Sequence, residues 1–170
     1  MRLVLIIIIG LFPLIAWTQP TITNFSPSSA AEGSTVIISG SDFSETPEDN
    51  TVTFDGITAT VTAATLTSLT TTVPAGLTAG PITIEVTVGG QTASSGFIVL
   101  PSLTNFTPLS GVEGTLVTIN GTGFSITPSD NEVTINGVAA IVTASTSTSI
   151  TTSVPDEVTA GSEPITVTVG

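Results

Sequence analysis

Histidine, cysteine and tyrosine are absent from this 170-residue chain, and a single basic residue, Arg2, stands against thirteen carboxylates, for a formal net charge of −12. Each absence removes a class of function. Without cysteine there are no structural disulfides, no thiol nucleophile and no lipid-modified cysteine behind an export signal. Ser94 and Ser95 and the many threonines have no histidine or lysine to act as base, so nucleophilic catalysis has no machinery. A paired-carboxylate mechanism needs two acids held ~5–10 Å apart across a cleft, and no spacing in the sequence places them so. With no cationic side chain after Arg2, the surface cannot neutralise phosphates, which excludes nucleic acid, and anionic headgroups repel it. The only tryptophan is Trp17, so the folded part lacks the amphipathic ring that suits a wet, sugar-binding face.

The chain opens with "MRLVLIIIIGLFPLIAWTQP". One positive charge precedes an apolar stretch, Leu3 to Ala16, that is shorter than the ~18–20 residues a membrane-crossing helix needs. Small residues at Ala16 and Thr18 offer a cleavage site. The pattern is that of a secretory signal peptide over residues 1–18, with Gln19 as the new N-terminus. Export without cysteine fits a bacterial product, secreted or held at the cell surface, and no membrane insertion is expected after cleavage.

The rest repeats itself. Shifting the chain by 81 aligns Pro20 with Pro101 and Gly89 with Gly170, and 39 of the 70 paired residues are identical. "ISGSDFS" returns as "INGTGFS", with glycine and phenylalanine kept and Asp42 replaced by Gly123; "TPEDNTVTFDG" returns as "TPSDNEVTING". A period near 80 is too long for a solenoid unit of roughly 20–50 residues and suits a small domain with its own core. Two domains are therefore expected, 19–100 and 101–170, abutting at Leu100–Pro101 with no linker. Period-two alternation runs through "TVIIS", "NTVTFDG", "ITATVTA", "LTSLTTTV", "PITIEVTV" and "GFIVL". About seven short strands per repeat, with glycine and proline between them, indicate an all-β sandwich. Phe25, Phe43 and Phe106 are expected in the core.

The residues Asn24-Phe25-Ser26-Pro27, Glu32-Gly33, Gly40, Phe43, Asn50, Val52, Gly56, Val73-Pro74 and Ala79-Gly80, each with a counterpart 81 positions on, resemble the immunoglobulin-like IPT/TIG domain. The resemblance covers everything after the signal. It implies two tandem immunoglobulin-like, early-set β-sandwiches. That family occurs in receptor ectodomains, Rel-type transcription factors, starch-processing enzymes and bacterial surface proteins, so the fold alone does not select a role.

Asp42, Glu45, Glu48 and Asp49 share one loop that could offer oxygens to calcium. The second repeat has Gly123, Ile126, Ser129 and Asp130 there, and no D-x-D-x-D-G pattern is present, so a solvated acidic loop is the preferred reading. Thr58 to Thr62 and Thr65 to Thr72 read as solvent faces of twisted strands rather than a flat ice-binding array. The sequons at Asn24, Asn105 and Asn120 matter only in a eukaryotic secretory path. No catalytic, cofactor-binding or metal-ligating residue is assigned. The chain is read as a non-catalytic, exported interaction or spacer unit whose partner is a surface protein or glycan. The alternatives are an accessory part of a polysaccharide-active enzyme, a polysaccharide-binding protein, or a calcium-stiffened adhesin. In the first repeat "ITIEVTVGG" continues into "QTASSGFIVL", whereas the second reaches only "ITVTVG". The second domain is thus expected to lack its last strand, to be the weaker of the two, and to belong to a longer protein.

Overall fold

Threonine alternating with valine or isoleucine gives each strand one wet and one dry face, and the computed structural model, which describes residues 18–159, 161 and 164–170, uses that alternation throughout. The expected signal peptide, with Trp17, falls outside the described residues up to position 17. Domain 1 contains β1 (Thr21–Ser26), β2 (Ser29–Ala30), β3 (Thr35–Ser41), β4 (Asn50–Phe54), β5 (Ile57–Ala59), β6 (Val61–Thr65), β7 (Ser68–Thr72), β8 (Gly80–Val88) and β9 (Gln91–Val99). They form two sheets, ordered β1-β3-β7-β6 and β2-β9-β8-β4-β5. Along β8, Ile82, Ile84, Val86 and Val88 are buried while Thr83 and Glu85 face water. The inward residues of both sheets make one core, in which Phe97 meets Phe25 and Phe54 edge-on, with ring centroids 5.3 and 6.0 Å apart.

Domain 2 repeats the plan with β10 (Ser102–Thr107), β11 (Leu116–Thr122), β12 (Asn131–Ile135), β13 (Val138–Ala140), β14 (Ala144–Thr146), β15 (Ser149–Ser153) and β16 (Ile165–Val169). Its sheets are β10-β11-β15-β14 and β13-β12-β16. Among the described residues no strand of domain 2 corresponds to β2 or β9. β16 therefore pairs with β12 on one side only.

The first repeat carries more strands than the alternation suggests, because "ITATVTA" is two. β5 pairs with β4 in one sheet and β6 with β7 in the other, so the chain changes sheets at Thr60. A carbonyl at such a crossing loses its ladder partner and must find another. The fully buried Thr71 hydroxyl donates to Thr60 O at 2.9 Å, and in domain 2 Thr152 donates to Ile141 O at 2.8 Å. The Asp55-Gly56 and Asn136-Gly137 pairs all have positive φ, the geometry of the tight two-residue hairpin joining β4 to β5 and β12 to β13.

The repeated glycine of "ISGSDFS" has a different reason. A Cβ on Gly40 would overlap the Thr21 carbonyl oxygen and the ring of Phe43; one on Gly121 would overlap Ser102 O and the ring of Phe124. Both phenylalanines are buried. The glycine is a slot into which the neighbouring strand and the returning ring close.

Candidate functional site

The acidic loop is built by its asparagine. Asn50, only 5% exposed, accepts from Ser44 N at 2.9 Å and donates to the carbonyls of Ser44 and Thr46, both at 2.9 Å. Asn131 makes the same three bonds to Ser125 and Thr127. One buried side chain thus ties the loop to the start of the next strand before any acid is considered. The acids point elsewhere. Asp49 accepts from Ser44 Oγ at 3.2 Å, while Asp42 accepts from Thr18 Oγ1 at 2.6 Å and Ser41 Oγ at 2.8 Å. Those hydroxyls, Thr18 first, hold the Asp42 carboxyl below the usual range. Glu45 and Glu48 are exposed. Among the described residues no three acids converge as metal ligands.

Asp42 and its counterpart explain why the acid is dropped. Both sit at positive φ, 60° for Asp42 and 76° for Gly123. Asp42 is exposed. Gly123 is buried at the junction between the domains, where a Cβ would come within 3.3 Å of Pro101 Cα and 3.4 Å of both Ala79 Cβ and Leu100 O. Its carbonyl accepts a bond from Ala79 N at 2.8 Å. The same turn is a hydrated tip in one domain and a docking point in the other.

The Glu-Gly motif differs as well. Glu32 Oε1 accepts from the amides of Gly76 and Leu77, each at 2.8 Å, clamping the loop that closes this end of domain 1. In domain 2 the loop reads Pro155-Asp156-Glu157-Val158, and Glu113 instead lies against Asp156. Hydrogen bonding to Asp156, then the repulsion of its charge, raises the Glu113 carboxyl above its ordinary value. Glu157 is held at φ 69° where Gly76 occupies the same left-handed region.

Beside that loop a groove opens, with a volume of about 570 Å³. Phe106 and Ile135 line it, and they are the counterparts of Phe25 and Phe54, the rings that clasp Phe97 in domain 1. Ile165, Val158 and the exposed Leu109 line it too. The sequence reading placed Phe106 in the core; it packs against the domain 2 core but is half-buried, because among the described residues no ring covers it as Phe97 covers Phe25.

The IPT/TIG domain family matches residues 20–97 and again 101–170. The chain belongs to that family. IPT/TIG domains are typically non-catalytic modules. No curated protein matches the chain. Solved structures similar to it include the plexin A4 extracellular region, at 19% identity over 89% of this chain and 17% of that one, with TM-score 0.43. An auxiliary nutrient-binding protein from Bacteroides thetaiotaomicron shares 22% identity over 56% of this chain and 24% of its own, TM-score 0.45. The γ-CGTase from alkalophilic Bacillus clarkii shares 20% over 90% and 25%, TM-score 0.46. This chain spans about a quarter or less of each.

Ser94 and Ser95 lie on β9 across from Glu85 and Ile84, an ordinary strand pair. Thr58 on β5 and Thr62 on β6 belong to different sheets, so the threonine runs form no single array. Of the sequon residues, Asn120 donates to Asn105 at 2.7 Å. Sequence reasoning missed the roles of Asn50, Thr71 and Glu32. All three recur in the second repeat, which is the signal that marks them.

Proposed function

We propose that this IPT/TIG tandem is an exported, non-catalytic interaction and spacer unit of a bacterial cell surface, presenting its partner, a surface protein or glycan, at a set distance. The observation that carries the reading is the junction. Pro101 enters directly behind Leu100 with its φ fixed by the ring. The turn at Gly123 is packed against Ala79 and bonded to it, so two sandwiches meet without a flexible linker. The uniformly acidic chain supports an exposed setting, since net charge of one sign keeps such surfaces soluble and apart. The signal-type N-terminus supports export. Two measurements test it. Intact mass of the exported protein should correspond to a start at Gln19; retention of Met1 to Ala16 overturns export by cleavage. Solution scattering should give one narrow distance distribution for two fixed bodies. A distribution fitted only by freely tumbling bodies overturns the spacer reading.

A further inference from the structure

We propose that removal of the signal peptide installs a single cation, the α-ammonium of Gln19, opposite Asp42, and that this ion pair is the reason the first repeat keeps an acid where the second has glycine. The inference rests on the export reading, with cleavage between Thr18 and Gln19, and adds what that cleavage does to the fold. No lysine, arginine or histidine follows Arg2, so the new terminus is the only positive group left among thirteen carboxylates.

The geometry prepares the pair. The Asp42 carboxylate divides its oxygens between two donors: Oδ1 accepts from Thr18 Oγ1 at 2.6 Å and Oδ2 from Ser41 Oγ at 2.8 Å. Cleavage removes the first donor and leaves the second. Gln19 N lies four bonds from the departing hydroxyl, so the new ammonium starts within about 8 Å of Oδ1 on standard bond lengths. Gln19 is itself held in place. Its Nε2 donates to Thr92 O at 3.0 Å and Pro20 behind it is buried; a residue before proline keeps to extended backbone. Domain 2 shows how closely the matching backbone approaches this turn. Leu100 and Pro101 are the counterparts of Gln19 and Pro20, and a Cβ on Gly123 would stand 3.4 Å from Leu100 O and 3.3 Å from Pro101 Cα. There the chain is continuous, no ammonium forms, and the acid is absent.

The other carboxylates at this end, Glu45, Glu48 and Asp49, sit on the same loop, and Asp49 is engaged by Ser44 Oγ. The adjoining segments, Leu66-Thr67 and Gly89 to Thr92, carry no titratable side chain. The pair therefore exists where Asp42 is ionised and the amine protonated. Its contribution is lost as pH rises through the folded-state value of the amine and as pH falls through that of Asp42. It also protects the terminus chemically. An unprotonated N-terminal glutamine cyclises: the α-nitrogen attacks its own Cδ, the ring C–N bond forms, and Nε2 leaves as ammonia. An amine held protonated at Asp42, with the amide held on Thr92 O, resists that step.

The test uses residues 19–170 produced with Gln19 first, which contain every strand of the fold. An NMR titration should give the α-amine a proton affinity at least about twofold higher than in Asp42→Asn, a shift of about 0.3 pH unit. Asparagine tolerates the positive φ of this turn, so the variant keeps its shape. Glu48→Gln, which removes a nearby charge outside the pair, should change the affinity by less than half as much. Cyclisation of Gln19, followed by mass, should run at least about twofold faster in Asp42→Asn, in proportion to the unprotonated fraction. Equal amine titration with and without the Asp42 carboxylate, an equal effect of Glu48→Gln, or cyclisation indifferent to Asp42 overturns the inference. All are read on a chain that already starts at Gln19, so their failure is separate from that of the export reading, which the mass of the exported protein decides.

Discussion

Domain 1 and domain 2 start from nearly the same text and bury their cores to different extents. Among the described residues the core of domain 1 holds seventeen buried apolar side chains and that of domain 2 seven. The residues that differ in burial are mostly not the residues that differ in identity. Val86 and Val167 are the same amino acid at the same register, yet the first is sealed and the second half-open. Burial in a sandwich belongs to the neighbour that covers a residue as much as to the residue itself. A strand contributes its own side chains and also the dryness of those beneath it.

The largest consequence is a stability gap. Phe97 and Val99 each contribute about 1.5–3 kcal/mol on burial, so global opening of domain 2 should be easier than that of domain 1 by about 3–6 kcal/mol. Domain-resolved hydrogen exchange measures this directly, and equal protection of β8 and β16 would break the comparison. Next comes the shared slot. Gly40→Ala should destabilise domain 1 by about 3 kcal/mol, since backbone and ring must both retreat from the new methyl group. Gly121→Ala, making the same intrusion in the weaker domain, should abolish its cooperative unfolding; a change under 1 kcal/mol in either would mean the slot is loose. Chemical denaturation followed domain by domain reads both.

A smaller effect separates the two turns. Gly123→Asp should cost about 2 kcal/mol, as a carboxylate is forced into the junction, and should broaden the scattering-derived distances. Asp42→Gly, at the exposed counterpart, should stay within about 0.5 kcal/mol. Smaller still, and of opposite sign, Asp156→Ala with Glu157→Gly should stabilise domain 2 by about 1 kcal/mol: it relieves a non-glycine residue at positive φ and frees Glu113 to clamp amides as Glu32 does. A melting temperature for domain 2 unchanged or lowered would sink that account.

The smallest effect is in pH. Because the folded-state value of Glu113 is raised, its contribution is present at low pH and is lost as pH rises through that value. The Asp42 value is lowered, so its contribution is present near neutrality and lost on acidification through the folded value. Acidifying from pH 7 to just above the ordinary carboxylate range should therefore favour domain 2 slightly relative to domain 1. Glu113→Gln should remove the difference in melting curves.

Much of the fold was legible because it is written twice. Alternation and the 81-residue shift located the strands, the hairpin glycines and the abutting domains. The sheet change at Thr60 was not legible, since "ITATVTA" alternates without interruption and a crossing is set by which neighbour each half finds. Nor was the Asn50 brace, since an asparagine before a strand reads as turn punctuation until three partners converge on it. The groove could be expected as a gap in the core, but its lining by Phe106 and Ile135 needed the packing around Phe97.

The contrast between Asp42 and Gly123 makes the order of the two repeats non-interchangeable. Domain 2 can follow another sandwich because its turn presents only a hydrogen atom to the body in front. Domain 1 cannot take the rear place unchanged: its aspartate would be pressed, charged and without a cation, into the backbone of the preceding domain. The two modules are therefore a leader and a follower, and the residue at this one turn serves as the coupling that distinguishes them.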